Sequence, residues 1–144
     1  MSYMSKSKKT VMIFGTFDFF HAGHLSFLTQ ARAYGERLIA VVARDKTVKM
    51  VKGEKPFHGE KERVNILRHI DLIDEVIMGN ERDMYAVIRR QKPNVIVLGY
   101  DQKAFTDNLK KIIIKFALKI KIARAKPYRP KSRKSGLIRK KLDL

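Results

Sequence analysis

The sequence predicts a doubly wound parallel α/β sheet, a three-layer sandwich in a single domain, and three observations carry that expectation. Apolar runs of strand length alternate with stretches of helical periodicity along the chain. The runs at 37–43 (RLIAVVA) and 94–98 (NVIVL) are almost continuously apolar, as parallel strands covered on both faces must be. A length of 144 residues, 44% of them hydrophobic, suits one core rather than two.

In order, 11–14 (VMIF) reads as a first buried strand, flanked by lysines and ended by Gly15. A helix follows over 23–34, with Leu25, Leu28 and Ala31 on one stripe and Gly35 closing it. The second strand is 37–43, and a polar, lysine-rich loop is expected over 44–59. A helix over 60–69, a strand over 75–78 and a helix over 84–90 come next; Pro93 interrupts before the strand at 94–98. A helix is read over 108–116 and a last strand over 118–123 (LKIKIA), whose lysines suit a sheet edge. A short terminal helix is expected over 135–142, and 1–10 as a disordered lead-in before a domain spanning 11–144. In such sheets ligands gather at the carboxyl ends of the strands where the connection order reverses, so the rim is expected at Gly15 and Gly99.

Cysteine is absent, which excludes disulfides and thiolate metal sites and agrees with a reducing cytoplasm. The lead-in lacks the apolar run of a secretion signal, and no stretch approaches the roughly 20 apolar residues of a membrane helix. A soluble cytoplasmic protein with no membrane partner is therefore expected. The net charge of +18 attracts polyanions and concentrates after residue 126, where 126–141 holds bases and no acid. Aromatic residues are not interleaved there as a single-strand stacking platform requires, and no recognised nucleic-acid signature accompanies the charge. A basic nucleic-acid-binding protein is kept as the non-enzymatic alternative.

The chemistry concentrates in 15–24, GTFDFFHAGH. His21 and His24 are three apart at the start of a helix that follows a strand, so they share a face. Unpaired N–H groups and the dipole at a helix start welcome an anion, and two imidazoles beside them can stabilise charge on a phosphorus centre. Gly23 is expected to let a phosphate approach the backbone, while Thr16 and Phe17 offer further N–H groups. Spacing alone leaves a second reading open, in which both histidines merely decorate a turn. A zinc site is disfavoured because four ligands are lacking, and Asp18 reads as a helix cap rather than a metal ligand.

GTFDFFHAGH resembles the GTFDxxHxGH signature of the cytidylyltransferase-like nucleotidyltransferases, whose fold is Rossmann-like. The resemblance extends through VARDKTV at 42–48, KGEKP at 52–56 and EKER at 60–63. It implies that a basic residue among Lys46, Lys49 and Lys52 approaches the phosphates and that Arg63 meets an anionic substrate group. The family's late serine- and threonine-rich motif corresponds to SRKSGLIR at 132–139, where Ser135 and Arg139 fit but Gly136 replaces a hydroxyl residue. LGYDQ at 98–102 is most similar to the archaeal-type FAD synthases, which transfer AMP from ATP to FMN and release pyrophosphate. Glycerol-3-phosphate cytidylyltransferases and heptose-type sugar-phosphate adenylyltransferases are the competing branches.

The resemblance thus implies His21, His24 and Lys52 as catalytic. It assigns the nucleotide to Gly15, Thr16, Phe17, Ala22, Gly23, Asp101, Tyr128 and Ser135 together with both histidines, and the acceptor phosphate to Arg63 and Lys49. No protein metal ligand is assigned: a divalent metal, expected to be Mg2+, would be bound through nucleotide phosphates. ATP and FMN are the expected partners, and the family is often homodimeric.

Overall fold

The structure is a computed structural model and describes residues 8–129. Five parallel strands form one sheet: β1 (Thr10–Gly15), β2 (Arg37–Val42), β3 (Glu75–Met78), β4 (Val95–Leu98) and β5 (Lys121–Arg124). Their spatial order is β3-β2-β1-β4-β5. The chain runs outward from β1 through β2 to β3, then crosses back to the other side of β1, so β1 and β4 flank the reversal. Thr10 lies opposite Arg37 and Gly15 opposite Val42, while Val11 and Met12 pair with Val95 and Ile96.

Five helices accompany the sheet: α1 (Ala22–Arg32), α2 (Asp45–Lys52), α3 (Glu60–Arg68), α4 (Ala86–Gln91) and α5 (Ala104–Lys115). Alternation along β1 feeds two cores. Val11 and Ile13 join Leu28 and Ala31 of α1 and Val64 and Leu67 of α3 on one face. Met12 and Phe14 join Val87 and Ile88 of α4 and Leu109 of α5 on the other. With both faces covered, β4 and all of β2 after Arg37 have no solvent side, and this is why they are apolar there. The doubly wound three-layer sandwich expected from the sequence is the observed fold.

The expected loop over 44–59 is corrected in its first half, because α2 occupies Asp45–Lys52. Thr47 and Val48 are buried, and Gly53 ends the helix in the left-handed region (φ 85°) with its N–H on the Lys49 carbonyl. An eight-residue helix with so narrow an apolar stripe is hard to see among lysines. Lys9 and Thr10 are tied into the sheet. The Lys9 carbonyl accepts the N–H groups of Glu36 and Arg37, and the Thr10 N–H donates to Asn94 Oδ1 at 2.8 Å. The last strand is shifted to Lys121–Arg124, paired on one side by β4, so it lies at an edge as the lysines suggested. The terminal helix expected over 135–142 lies outside the described residues.

Candidate active site

Where β1 ends, the chain makes a tight turn above the sheet. A Cβ on Gly15 would stand 3.0 Å from the Phe17 ring, so the glycine lets that ring fold down into the core, where Phe17 is only 4% exposed. Phe17 and Phe19 both take left-handed backbone angles (φ 55° and 50°), a costly arrangement for bulky residues that surrounding contacts must hold. Asp18 provides one such hold. Its carboxylate accepts the N–H groups of Phe57 at 2.7 Å and His58 at 3.0 Å, tying this turn to the segment before α3. Asp18 therefore does not cap α1, in contrast to the sequence expectation. Burial alone would raise its pKa, but the two backbone N–H groups and the charges of His58 and Arg63 hold it below the usual aspartate value.

The cap of α1 is His21. Its Nδ1 accepts the Gly23 N–H at 3.0 Å, and His24 Nδ1 accepts the His21 N–H at 3.2 Å, so the two histidines cap the helix reciprocally. Their ring centroids are 4.1 Å apart. Because each Nδ1 is an acceptor, each neutral imidazole carries its proton on Nε2, leaving that N–H as the donor available to a ligand. Gly23 lines the cleft and has a further role that the sequence does not show. A Cβ there would lie 2.8 Å from His21 Cε1, so glycine makes room for the capping imidazole.

His24 is held neutral. Burial, then the charges of His21 and Lys52, lower its pKa from 6.5 to about 4, against a smaller opposing effect of Asp18. The folded state binds fewer protons at this site than the unfolded chain, so its contribution to stability is complete above pH 6.5 and is lost as pH falls through about 4. Thermal melts between pH 7 and pH 4 are expected to show this loss. In His24→Asn, whose amide oxygen can accept the same N–H without titrating, that part of the pH dependence should disappear.

The histidines line a cleft of about 750 Å³ at the carboxyl ends of the strands. One flank comes from the end of β4: Gly99, Tyr100, Asp101 and Gln102, joined by Tyr128 and Lys126. Gln102 clamps the point of reversal, accepting the Gly99 N–H at 2.6 Å and donating to the Phe14 carbonyl at 3.1 Å. Arg124 of the edge strand braces the same turn through the carbonyls of Gly99 and Gln102 (2.8 and 3.2 Å) and the Thr106 hydroxyl (2.9 Å). The other flank comes from α2 and the end of β3: Arg44, Thr47, Val51, Lys52, Gly79 and Asn80.

Of the sequence-derived site residues, Gly15, Thr16, Phe17, His21, Gly23, His24, Lys52, Asp101 and Tyr128 meet at this cleft. The geometry also separates the three lysines. Lys52 lines the cleft, Lys46 lies 3.8 Å from Glu81, and Lys49 is exposed outside the lining. Ala22 opens α1 without lining the cleft, and Ser135 lies outside the described residues. Asn80 carries no signal in the sequence reading, although it follows a strand's carboxyl end just as Gly15 and Gly99 do, and Arg44 and Gln102 enter that reading only as members of the 42–48 and 98–102 stretches.

Arg63 is the clearest correction. Its side chain is fully buried and every edge of the guanidinium is engaged: Nε donates to the His58 carbonyl (2.9 Å), Nη1 to the Thr16 carbonyl (2.8 Å) and Nη2 to Asp45 Oδ1 (2.7 Å). It is absent from the cleft lining. Asp45 and Arg44 are held in turn by Glu60, which accepts the Asp45 N–H at 3.0 Å and pairs with Arg44 at 2.9 Å. Arg63 is thus a brace beneath the turn rather than a ligand for the acceptor phosphate.

Among the described residues no cluster of three or more His, Cys, Asp or Glu side chains could hold a metal ion, and no helix is long and apolar enough to cross a membrane.

The Cytidylyltransferase-like family model matches residues 12–141. The chain is 41% identical over 124 residues to the FAD synthase of Methanothermobacter thermautotrophicus, covering 84% of this chain and 82% of that one. It is 36% identical over 132 residues to the FAD synthase of Thermoplasma volcanium, covering 92% of both. A solved structure described as a lipopolysaccharide core biosynthesis protein from Thermoplasma volcanium superimposes with a TM-score of 0.80 at 35% identity, over 85% of this chain and all of that one. A pantoate–β-alanine ligase from Francisella tularensis, at 15% identity and a TM-score of 0.62 over 89% of this chain and 63% of its own, shares the fold.

Proposed function

The chain belongs to the cytidylyltransferase-like family, and on that footing we propose that it is an FAD synthase, transferring AMP from ATP to FMN with release of pyrophosphate. The observation that carries the proposal is the reciprocal cap of His21 and His24, which fixes both rings and reserves both Nε2–H donors for the cleft. An oxygen of the FMN phosphate attacks the α-phosphorus of ATP, the bond from that phosphorus to the bridging oxygen of the β-phosphate breaks, and pyrophosphate departs with the electron pair. The attacking oxygen is already ionised at neutral pH, so no strong general base is required. Positioning and stabilisation of charge on the transferring group suffice.

In this reading the two imidazoles donate to the α-phosphate oxygens, and Lys52 offsets charge along the polyphosphate. Backbone at Gly15, Thr16, Phe17 and Gly23 surrounds the phosphates, while Asp101 and Tyr128 face the nucleoside. Nucleotidyltransferases use a divalent metal with the nucleotide. The donor set here suits one carried on phosphate oxygens, because the described residues offer no carboxylate cage and Asp18 is engaged by two backbone N–H groups. Magnesium, a cytoplasmic location and a homodimer belong to the same proposal.

Lys52→Ala is expected to lower kcat/KM by about a hundredfold, whereas Lys49→Ala should stay within about twofold of the parent. Initial-rate measurements of pyrophosphate release would show it, and equal effects of the two substitutions would contradict the assignment.

A sugar-phosphate adenylyltransferase is the second reading, favoured by the description of the Thermoplasma volcanium structure. A matrix of ATP and CTP against FMN, glycerol 3-phosphate and sugar 1-phosphates with magnesium separates the two. FAD from ATP and FMN is the expected product, and turnover confined to a sugar phosphate would establish the alternative.

A further inference from the structure

A second cleft, of about 510 Å³, opens beside the first on the β3 side and shares Arg44, Gly79 and Asn80 with it. Its polar groups are unusually one-sided. Asn80 Oδ1 accepts the N–H groups of Arg82 and Asp83 at 2.8 and 3.2 Å, which turns the amide so that its NH2 is the free end. Arg82 and Arg90 also line this cleft, and among the described residues neither guanidinium has a hydrogen-bond or ion-pair partner. Arg44, by contrast, is already committed to the Gly79 carbonyl and Glu60. Glu81, the one acid in the lining, faces Lys46 at 3.8 Å. Two unpaired arginines and an oriented amide thus present donors with few acceptors to answer them, and a ligand rich in carbonyl or phosphate oxygens would complete the set.

The position decides which substrate this serves. Two substrates that react at the histidines must bring their phosphates within about 3–3.5 Å of each other, so their remaining bodies extend away on different flanks. The β4 flank carries Tyr100, Asp101 and Tyr128; the β3 flank leads into the donor-lined cleft. Resting on the reading of this chain as an FMN adenylyltransferase, we propose that Asn80, Arg82 and Arg90 form the acceptor subsite and bind the dicarbonyl edge of the isoalloxazine ring. A guanidinium suits that ligand twice over, since it donates to carbonyl oxygens in its plane and stacks on flat rings through its face. This replaces the acceptor role expected for Arg63 and Lys49, neither of which reaches the cleft lining.

Riboflavin, which keeps the ring and lacks the phosphate, separates ring recognition from phosphate recognition. The test titrates riboflavin into the full chain by flavin fluorescence and measures steady-state constants for ATP and FMN, using the parent and the Arg82→Gln/Arg90→Gln double variant. The parent is expected to bind riboflavin, with riboflavin competing against FMN. The double variant should raise the riboflavin dissociation constant and the FMN KM together by tenfold or more, with the ATP KM within twofold. FAD formation by the parent, with riboflavin binding and the FMN KM both unchanged in the variant, would overturn the subsite while leaving the function intact. A rise in FMN KM without a change in riboflavin binding would assign the arginines to phosphate and overturn ring recognition. Absence of FAD formation by the parent would instead overturn the functional reading on which the subsite rests.

Discussion

Replacing His21 or His24 with asparagine is expected to lower kcat by about 10²–10³-fold while shifting the melting temperature little. Asparagine places its amide oxygen where Nδ1 stood, so Gly23 N–H at one position and His21 N–H at the other keep an acceptor. What it cannot reproduce is a donor at the reach of Nε2, and loss of one preorganised donor to a developing negative charge typically costs that factor. Alanine is the less informative change, because it also deletes the cap at a cost of about 1 kcal/mol. The double asparagine variant should fall short of the product of the single effects, since both donors serve one transition state. Turnover within tenfold of the parent would remove the histidines from the chemistry. A large fall in melting temperature in the asparagine variants would instead show that the rings act mainly through packing.

Arg63→Met is expected to be the most damaging single change to stability, by roughly 3–5 kcal/mol. Methionine fills much of the buried volume, but it strips the Thr16 and His58 carbonyls and Asp45 of their donor together. Two of those contacts belong to the turn and segment that Asp18 also joins, so the loss should propagate to the left-handed backbone at Phe17 and Phe19. Urea denaturation reads the effect as a lowered midpoint. Activity measured where the variant is still folded should also fall, because the turn carrying His21 has lost its brace. A midpoint near that of the parent would mean that the buried guanidinium contributes little net stability, as happens when desolvation cancels pairing.

Much of this architecture can be read in the sequence because burial on both faces writes itself as an apolar run. β2 and β4 are such runs, and the edge position of β5 follows from its lysines. The short helix α2 was hidden for the opposite reason: only a narrow stripe, Thr47 and Val48, is buried, and the lysines around it look like a loop. The placement of His21, His24, Lys52 and Asp101 around one cleft follows from strand order and motif together. The role of Arg63 did not follow, because burial of an arginine depends on Thr16, Asp45 and His58 converging from distant parts of the chain. Gly23 teaches a similar lesson. Its small size reads in the sequence as access for a ligand, and the structure adds that the neighbouring imidazole needs the space.

Incubation with ATP labelled at the α-phosphate or the γ-phosphate, together with FMN and magnesium, tests the account most directly. The α-label is expected in FAD and the γ-label in pyrophosphate, with both products formed in equal amounts and both formed about 10²–10³-fold more slowly in the His21→Asn and His24→Asn variants. Transfer of the γ-label to the acceptor, or no transfer of the α-label to FMN, would contradict adenylyl transfer at the histidine-capped turn.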